Sequence, residues 1–315
     1  MGRILSNRQV IAAKVETTEG TAIALAGADA NNLIMEPTFE ADVPMYERSF
    51  LDNSLSPHKA IATTRLARLA FKVECKGSGT AGTAPALGKL LRACGFNETV
   101  VASTSVTYAP TSALANIPTL SMAIYKDGLR KALKGARGNV KYSAKAGEPG
   151  MFEFEFTGVL DGAPTDVALI TPSGVETTVP ISLLSATLSI ASFSAFVSQI
   201  TFDMGNTLAP RGDINQASGY ISTLLTKRNP KGSFDPEDEL VATHDFYGRW
   251  LAGTTGALTW KHQGSAGNIT TFTVPACQYM KFTEADRNGI AILNSDFLMA
   301  RNSTGGDDEL SIAFT

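Results

Sequence analysis

Apolar and charged positions alternate strictly in Met151-Phe152-Glu153-Phe154-Glu155-Phe156. A period of two over six residues predicts a strand with one buried and one polar face. The preceding arm, Val140-Lys141-Tyr142-Ser143, is also strand-like, and Ala146-Gly147-Glu148-Pro149-Gly150 supplies a turn, so Asn139–Gly158 reads as a hairpin. The same order recurs near the C-terminus: Met280-Lys281-Phe282-Thr283, a turn at Asp286–Gly289, then Ile290-Ala291-Ile292-Leu293. Upstream landmarks recur as well. Lys76-Gly77-Ser78, Gly88-Lys89-Leu90-Leu91 and the strand Leu120–Tyr125 precede the first hairpin; Lys231-Gly232-Ser233, Gly248-Arg249-Trp250-Leu251 and Ala257–Lys261 precede the second. Landmarks repeated in one order indicate an internal duplication.

The pattern elsewhere predicts a mainly β chain with one helix in each half. Strands are predicted over Arg65–Glu74, Val100–Tyr108, Lys131–Ala136, Leu183–Ile190, Val197–Met204, Tyr220–Arg228 and Ile269–Val274, and at the C-terminal tail. A helix from Pro85 to about Ala93 has proline in its first turn and Gly95 just past its end. A second is predicted around Leu240–Leu251, after the carboxylates of Asp235–Glu239, which suit a helix N-terminus. Asp161–Pro180 carries Gly, Pro, Asp and Thr with no helix period and reads as the linker that divides residues 1–160 from 181–315. Residues 37–59 hold three prolines and no sustained period, yet carry Met45, Tyr46, Phe50, Leu51 and Leu55. So long and apolar a loop reads as an arm that orders against a partner or packs on its own domain.

The 315 residues are 43% hydrophobic, enough for a folded core in each half. Lys+Arg 27 against Asp+Glu 30 gives a net charge of -3, which advertises no basic surface for clasping nucleic acid. Cys75, Cys94 and Cys277 lack the spacing of a metal or redox motif and read as small buried hydrophobes in a reducing compartment. The first residues show no apolar signal region and no run reaches membrane-spanning length, which places synthesis in a cytoplasm.

Catalytic motifs are offered and declined. Gly77-Ser78-Gly79-Thr80-Ala81-Gly82 matches GxGxxG, but the β-rich surroundings give no alternation of strands and helices for a dinucleotide fold, and the second copy of this loop is acidic. His58, His244 and His262 are scattered without ligand spacing, and Asp307-Asp308-Glu309 lacks the pattern of a calcium loop. No Gly-x-Ser-x-Gly elbow is present. No enzyme, metal site or cofactor is expected.

Three stretches carry a family resemblance: Ile11-Ala12-Ala13-Lys14-Val15-Glu16-Thr17-Thr18-Glu19-Gly20-Thr21, the long loop to Arg48, and Leu87-Gly88-Lys89-Leu90-Leu91-Arg92-Ala93-Cys94-Gly95-Phe96. They resemble the tail tube (major tail) protein of long, non-contractile-tailed bacteriophages, most clearly over the first half. The resemblance implies a β-sandwich or half-barrel with a flanking helix, polymerised in stacked rings around a lumen that conducts DNA. It implies the tape measure and tail-end proteins as partners, a place in the virion, and no membrane. Family members typically have one such domain and form hexameric rings. Two tandem domains in this chain lead to the expectation of a trimeric ring with pseudo-six-fold symmetry.

Glu153 and Glu155 share one strand face and are candidates to line that lumen; the same face suits solvent or a neighbouring subunit equally well. Met45, Tyr46, Phe50, Leu51 and Leu55 are candidates for contact between rings. The competing readings are another tail component (a terminator, or the tube of a contractile tail) and an adhesin-like double β-sandwich.

Overall fold

The structure, a computed structural model, describes residues 3–315. The first half contains β1 (Gln9–Val15), β2 (Met35–Asp42), β3 (Met45–Tyr46), β4 (Ile61–Ala62), β5 (Leu66–Glu74), α1 (Gly88–Ala93), β6 (Phe96–Val101), β7 (Ser105–Pro110), β8 (Leu120–Lys126), β9 (Leu129–Lys145) and β10 (Met151–Leu160). The rest contains β11 (Thr165–Asp166), β12 (Ser189–Ile190), β13 (Val197–Asp203), β14 (Thr207–Gly212), β15 (Tyr220–Lys227), β16 (Lys231–Pro236), α2 (Phe246–Leu251), β17 (Thr255–His262), β18 (Thr270–Arg287), β19 (Ile290–Ala300) and β20 (Ser311–Phe314). The fold is mainly β, built from antiparallel strand pairs.

The duplication is a repeat of topology. In the first half the pairing runs β1-β8-β9-β10-β5-β2. In the second it runs β12-β17-β18-β19-β16-β13, element for element. Each half also places a two-stranded hairpin, β3–β4 or β14–β15, between the strands corresponding to β2 and β5. Three sequence landmarks coincide with this correspondence: the hairpins β9–β10 and β18–β19, the helices, and β8 with β17. The fourth does not. Lys231-Gly232-Ser233 opens β16, whereas Lys76-Gly77-Ser78 lies in the loop after β5; a short Lys-Gly-Ser match carries no periodicity to anchor it.

Boundaries moved where local signals were misleading. Val100–Tyr108 spans a turn and belongs to two strands, β6 and β7. The strand predicted at Lys131–Ala136 runs on to Lys145, because a bulge between Thr157 and Val159 in the β9–β10 register absorbs Gly135 without ending the pairing. Gly205–Gly219, read as a polar loop, contributes β14. The second helix spans only its last six predicted residues, and Asp245 caps it by accepting from the Gly248 amide at 2.7 Å. Leu183–Ile190 is strand only at its end.

The two halves share one sheet and one core. Strand β13 pairs with β9 across the midline, from Gln199↔Lys145 to Asp203↔Lys141. Phe152, Phe154 and Phe156 point inward at period two and stack along β10 against Phe71. Tyr142, from the first half, lies 4.6 Å from Phe272 and 5.2 Å from Phe202, both from the second. Fully buried aromatic rings contribute about 1.5–3 kcal/mol each by area alone, so this cluster binds the halves together. Residues 161–180 cross no gap between domains. They lie along the first half, where Glu176 accepts from the Ala86 amide and Lys76 donates to the Glu176 and Thr178 carbonyls.

Candidate assembly surfaces

The face of the sheet opposite the core is open. It presents Lys141, Glu153, Asp203, Lys231, Lys281 and Asp296 around one shallow groove. Strand register arranges charges of opposite sign as direct neighbours: Lys72↔Glu153, Glu153↔Lys141, Lys141↔Asp203 and Asp203↔Lys231 in one line, and Asp296↔Lys281 further along. Glu36 extends the line on β2 by pairing with Lys72 at 2.6 Å. Opposite charges facing each other across strands contribute about 0.2–1 kcal/mol per pair. Glu153 and Glu155 do share this face, but each has a cation beside it; Arg68 lies 3.5 Å from Glu155. The face is a mosaic of three lysines and three carboxylates around the groove.

The midline junction has two open counterparts. Strand β13 is paired on both sides, with β16 and β9. Its equivalent, β2, pairs only with β5 among the described residues, and Pro37, which lacks an N–H, suits such an edge. The C-terminal part of β9 is paired on both sides, with β10 and β13. Its equivalent, Lys281–Arg287 of β18, pairs only with β19 among the described residues. Unpaired backbone groups on an exposed edge are ready to accept another strand.

The hairpin β14–β15 is folded onto the first half, over the β9 bulge. Thr223 donates its hydroxyl to the Thr157 carbonyl at 2.7 Å and accepts from the Arg137 amide at 3.1 Å. Buried Arg137 donates to the Thr223 carbonyl at 2.7 Å and twice to the Ile117 carbonyl, at 2.9 and 3.1 Å. Asn206 donates to the Cys94 carbonyl at the end of α1. Gly135 and Gly20 have positive φ, and a Cβ on either would lie 2.7 or 2.2 Å from the Ile221 carbonyl oxygen, so the hairpin sits where only glycine permits it.

The segment Glu16–Thr21 proves to be part of the same fastening. Glu16 is buried and accepts from Thr119, Ser121 and the Gly20 and Gly135 amides. Glu19 accepts from Ser222 and faces Arg137 and Arg211. Its partial burial raises the carboxyl pKa, but the Ser222 hydrogen bond and the two arginines outweigh that and hold it below the usual value. Sequence reasoning missed Arg137 and Glu16 as fastening residues. The available signal was a charge set among small and apolar residues, as in Gly135-Ala136-Arg137-Gly138.

In contrast, β3–β4 pair only with each other among the described residues, and Met45, Tyr46, Phe50, Leu51 and Leu55 are all exposed. The arm therefore does not pack on its own half. The remaining candidate chemistry is accounted for by structure. The Gly77 amide donates to Asn268 and the Gly79 amide to the Gly267 carbonyl, so the glycine loop makes a seam between the halves. His262 donates from Nδ1 to the Ile181 carbonyl and accepts the Tyr142 hydroxyl at Nε2, and burial lowers its pKa. Burial pushes the Cys75 and Cys277 thiols up to about 12 and raises Cys94 as well, leaving all three as unreactive packing groups. Among the described residues no group of three His, Cys, Asp or Glu side chains is placed to hold a metal, and no helix is long and apolar enough to cross a membrane.

Fold and surfaces together describe a duplicated β-sheet structural subunit. A family model described as phage tail tube protein matches residues 6–315. The chain belongs to the phage tail tube protein family and is a structural component of the virion tail. No curated protein matches it in sequence. The resemblance to phage tail tube proteins carried by Ile11–Thr21, the long loop and Leu87–Phe96 is borne out at the level of the family.

Proposed function

We propose that three copies of this chain close head to tail into a ring, and that rings stack into the tube through which a long-tailed phage ejects DNA. The observation that carries this reading is the midline junction. Within one chain, β13 of one repeat completes β9 of the other; at the chain's two ends the equivalent strands, β2 and the distal part of β18, lie open. Joining them between copies repeats a contact the chain already makes with itself. The chain contributes eight strands to the open-faced run β2-β5-β10-β9-β13-β16-β19-β18, so three copies give 24. At a spacing of ~4.8 Å, 24 strands enclose a circumference of roughly 115 Å and a diameter of about 37 Å before tilt widens it. Strand counts of 16–18 already leave an aqueous channel.

The open face then lines the lumen. Its alternating charges offer the phosphate backbone neither a continuous cationic track to bind nor a uniform anionic wall, which suits a conduit. The tape measure and tail-end proteins would meet this tube inside and at its ends, after the chain is made in the host cytoplasm.

The bulges of β9 and β18 align Arg137 with Lys281, and so Lys141 with Ala285, while the β2–β5 and β13–β16 pairings align Asp42 with Asp203. Because Lys141 faces Asp203 at the midline, Ala285 should face Asp42 of the next copy. Ala285→Asp alone places like charges together and should weaken each junction about fivefold, on the basis of roughly 1 kcal/mol per pair. Adding Asp42→Lys should recover ring formation, read by native mass spectrometry. Equal ring yield from Ala285→Asp and from the double variant would contradict this register.

A further inference from the structure

We infer that the arm between β2 and β5 docks on the second half of the neighbouring copy within the same ring, where it covers α2; this rests on the ring closure proposed above. The chain contains the precedent. Each half carries a hairpin between its β2-type and β5-type strands, and the second of these, β14–β15, does not fold on its own half. It crosses to the half with which β13 is paired, settles over the β9 bulge and reaches the end of α1, where a Cβ added to Gly95 would lie 3.0 Å from the Leu225 side chain. A β2 strand paired to the β18 of the next copy delivers the first arm to the equivalent place: the bulge of that β18, at Met280, and the helix α2 beside it.

The two surfaces that would meet are each uncovered in the single chain. Helix α1, under a hairpin, buries Leu90 and Leu91 completely. Helix α2 leaves Leu251 83% exposed, and Met280, whose carbonyl accepts from Trp250, is 47% exposed. Tyr247 donates to Glu284, which places this helix directly against the open stretch of β18. On the arm, Leu51 and Leu55 are fully exposed and Tyr46 and Phe50 largely so. Apolar groups gathered on one extended segment mark an interaction surface rather than a solvated face. The second copy that closes the ring is the occupant that brings an apolar complement to the place the precedent specifies.

The test uses full-length chain carrying p-benzoylphenylalanine in place of Phe50, irradiated as unstacked rings. Adducts joining two chains within a ring, mapped by mass spectrometry to residues 247–251 or to Met280, are expected. In parallel, Leu51→Ser combined with Leu55→Ser should weaken ring formation tenfold or more, with the melting temperature of the single chain unchanged because those side chains are fully exposed in it. Rings of normal mass that fail only to stack, with adducts appearing only after stacking, would overturn the proposal and assign the arm to contact between rings. Wild-type chains that never form rings at any concentration would overturn ring closure itself, and the docking with it; those two failures are separated by the wild-type measurement.

Discussion

Arg137→Met tests how the β14–β15 hairpin is fastened to the first half. The guanidinium is buried and donates to two carbonyls, of Thr223 and Ile117, residues that are themselves almost fully buried. Methionine fills similar volume but donates nothing, so both oxygens lose their partners inside the protein. An unsatisfied buried acceptor costs about 1–3 kcal/mol, and hydrogen bonds to a charged donor lie at the upper end. The expected loss is therefore about 3–5 kcal/mol. With ~2.1 cal/mol/K of unfolding entropy per residue, 315 residues give roughly 0.66 kcal/mol/K, so each kcal/mol moves the melting temperature by about 1.5 °C. The variant should melt about 5–8 °C below wild type by circular dichroism at pH 7. Hydrogen exchange over residues 207–227 should accelerate before the rest of the chain opens. Arg211→Met is the control: Arg211 also faces Glu19, at 3.6 Å, but from an exposed position, and should shift melting by less than about 1 °C. Equal, small shifts for both variants would refute the assignment of Arg137 as the fastening residue.

Glu16→Ala should destabilise by about 3–5 kcal/mol, since two backbone amides and two hydroxyls lose one shared acceptor; calorimetry checks it. Phe154→Ala should cost about 3–5 kcal/mol by leaving a cavity in the stacked row between Phe152 and Phe156, measured by urea unfolding. Stability should fall with acid in two stages. Burial gives His262 and His244 lowered folded pKa values, so the unfolded chain takes up their protons first and stability declines as pH drops below about 6.5. Glu19, also lowered, contributes stability above about 4.5 and loses it as pH falls through the folded value; His262→Gln combined with His244→Gln should remove the first stage of the melting-temperature profile and leave the second. Replacing Glu153 and Glu155 together by Lys turns the open face cationic, and DNA passage through assembled tails should slow at low salt and recover at high salt. Unchanged ejection kinetics would take these residues out of the lumen.

Much of this fold was legible because its strands are half-buried and alternate. Met151–Phe156 gave its register directly, and the recurring hairpin revealed the duplication, although its Lys-aromatic-hydroxyl triplets, Lys141–Ser143 and Lys281–Thr283, stand four residues out of step in the paired strands. What stayed hidden was non-local. Nothing in Gly205–Gly219 announces that it forms a hairpin lying on the other half, because the glycines that admit it, Gly20 and Gly135, are far away in sequence. The alternation of charge on the open face was equally invisible: Glu153 and Glu155 are neighbours along the chain, whereas Lys72 and Lys141 meet Glu153, and Asp203 meets Lys141, only across strands. The apolar arm at 37–59 was recognisable from Phe50, Leu51 and Leu55 in a proline-rich stretch, but which surface receives it depends on the pairing of β13 with β9.

The most direct test of ring closure is the mass of a single ring, released from tubes or assembled from purified chain and weighed intact. Three copies of a 33.3 kDa chain predict about 100 kDa, with image averages showing six similar lobes around a channel. A ring of about 200 kDa, holding six chains, would contradict the claim that the midline junction inside the chain stands in for every second contact around the ring.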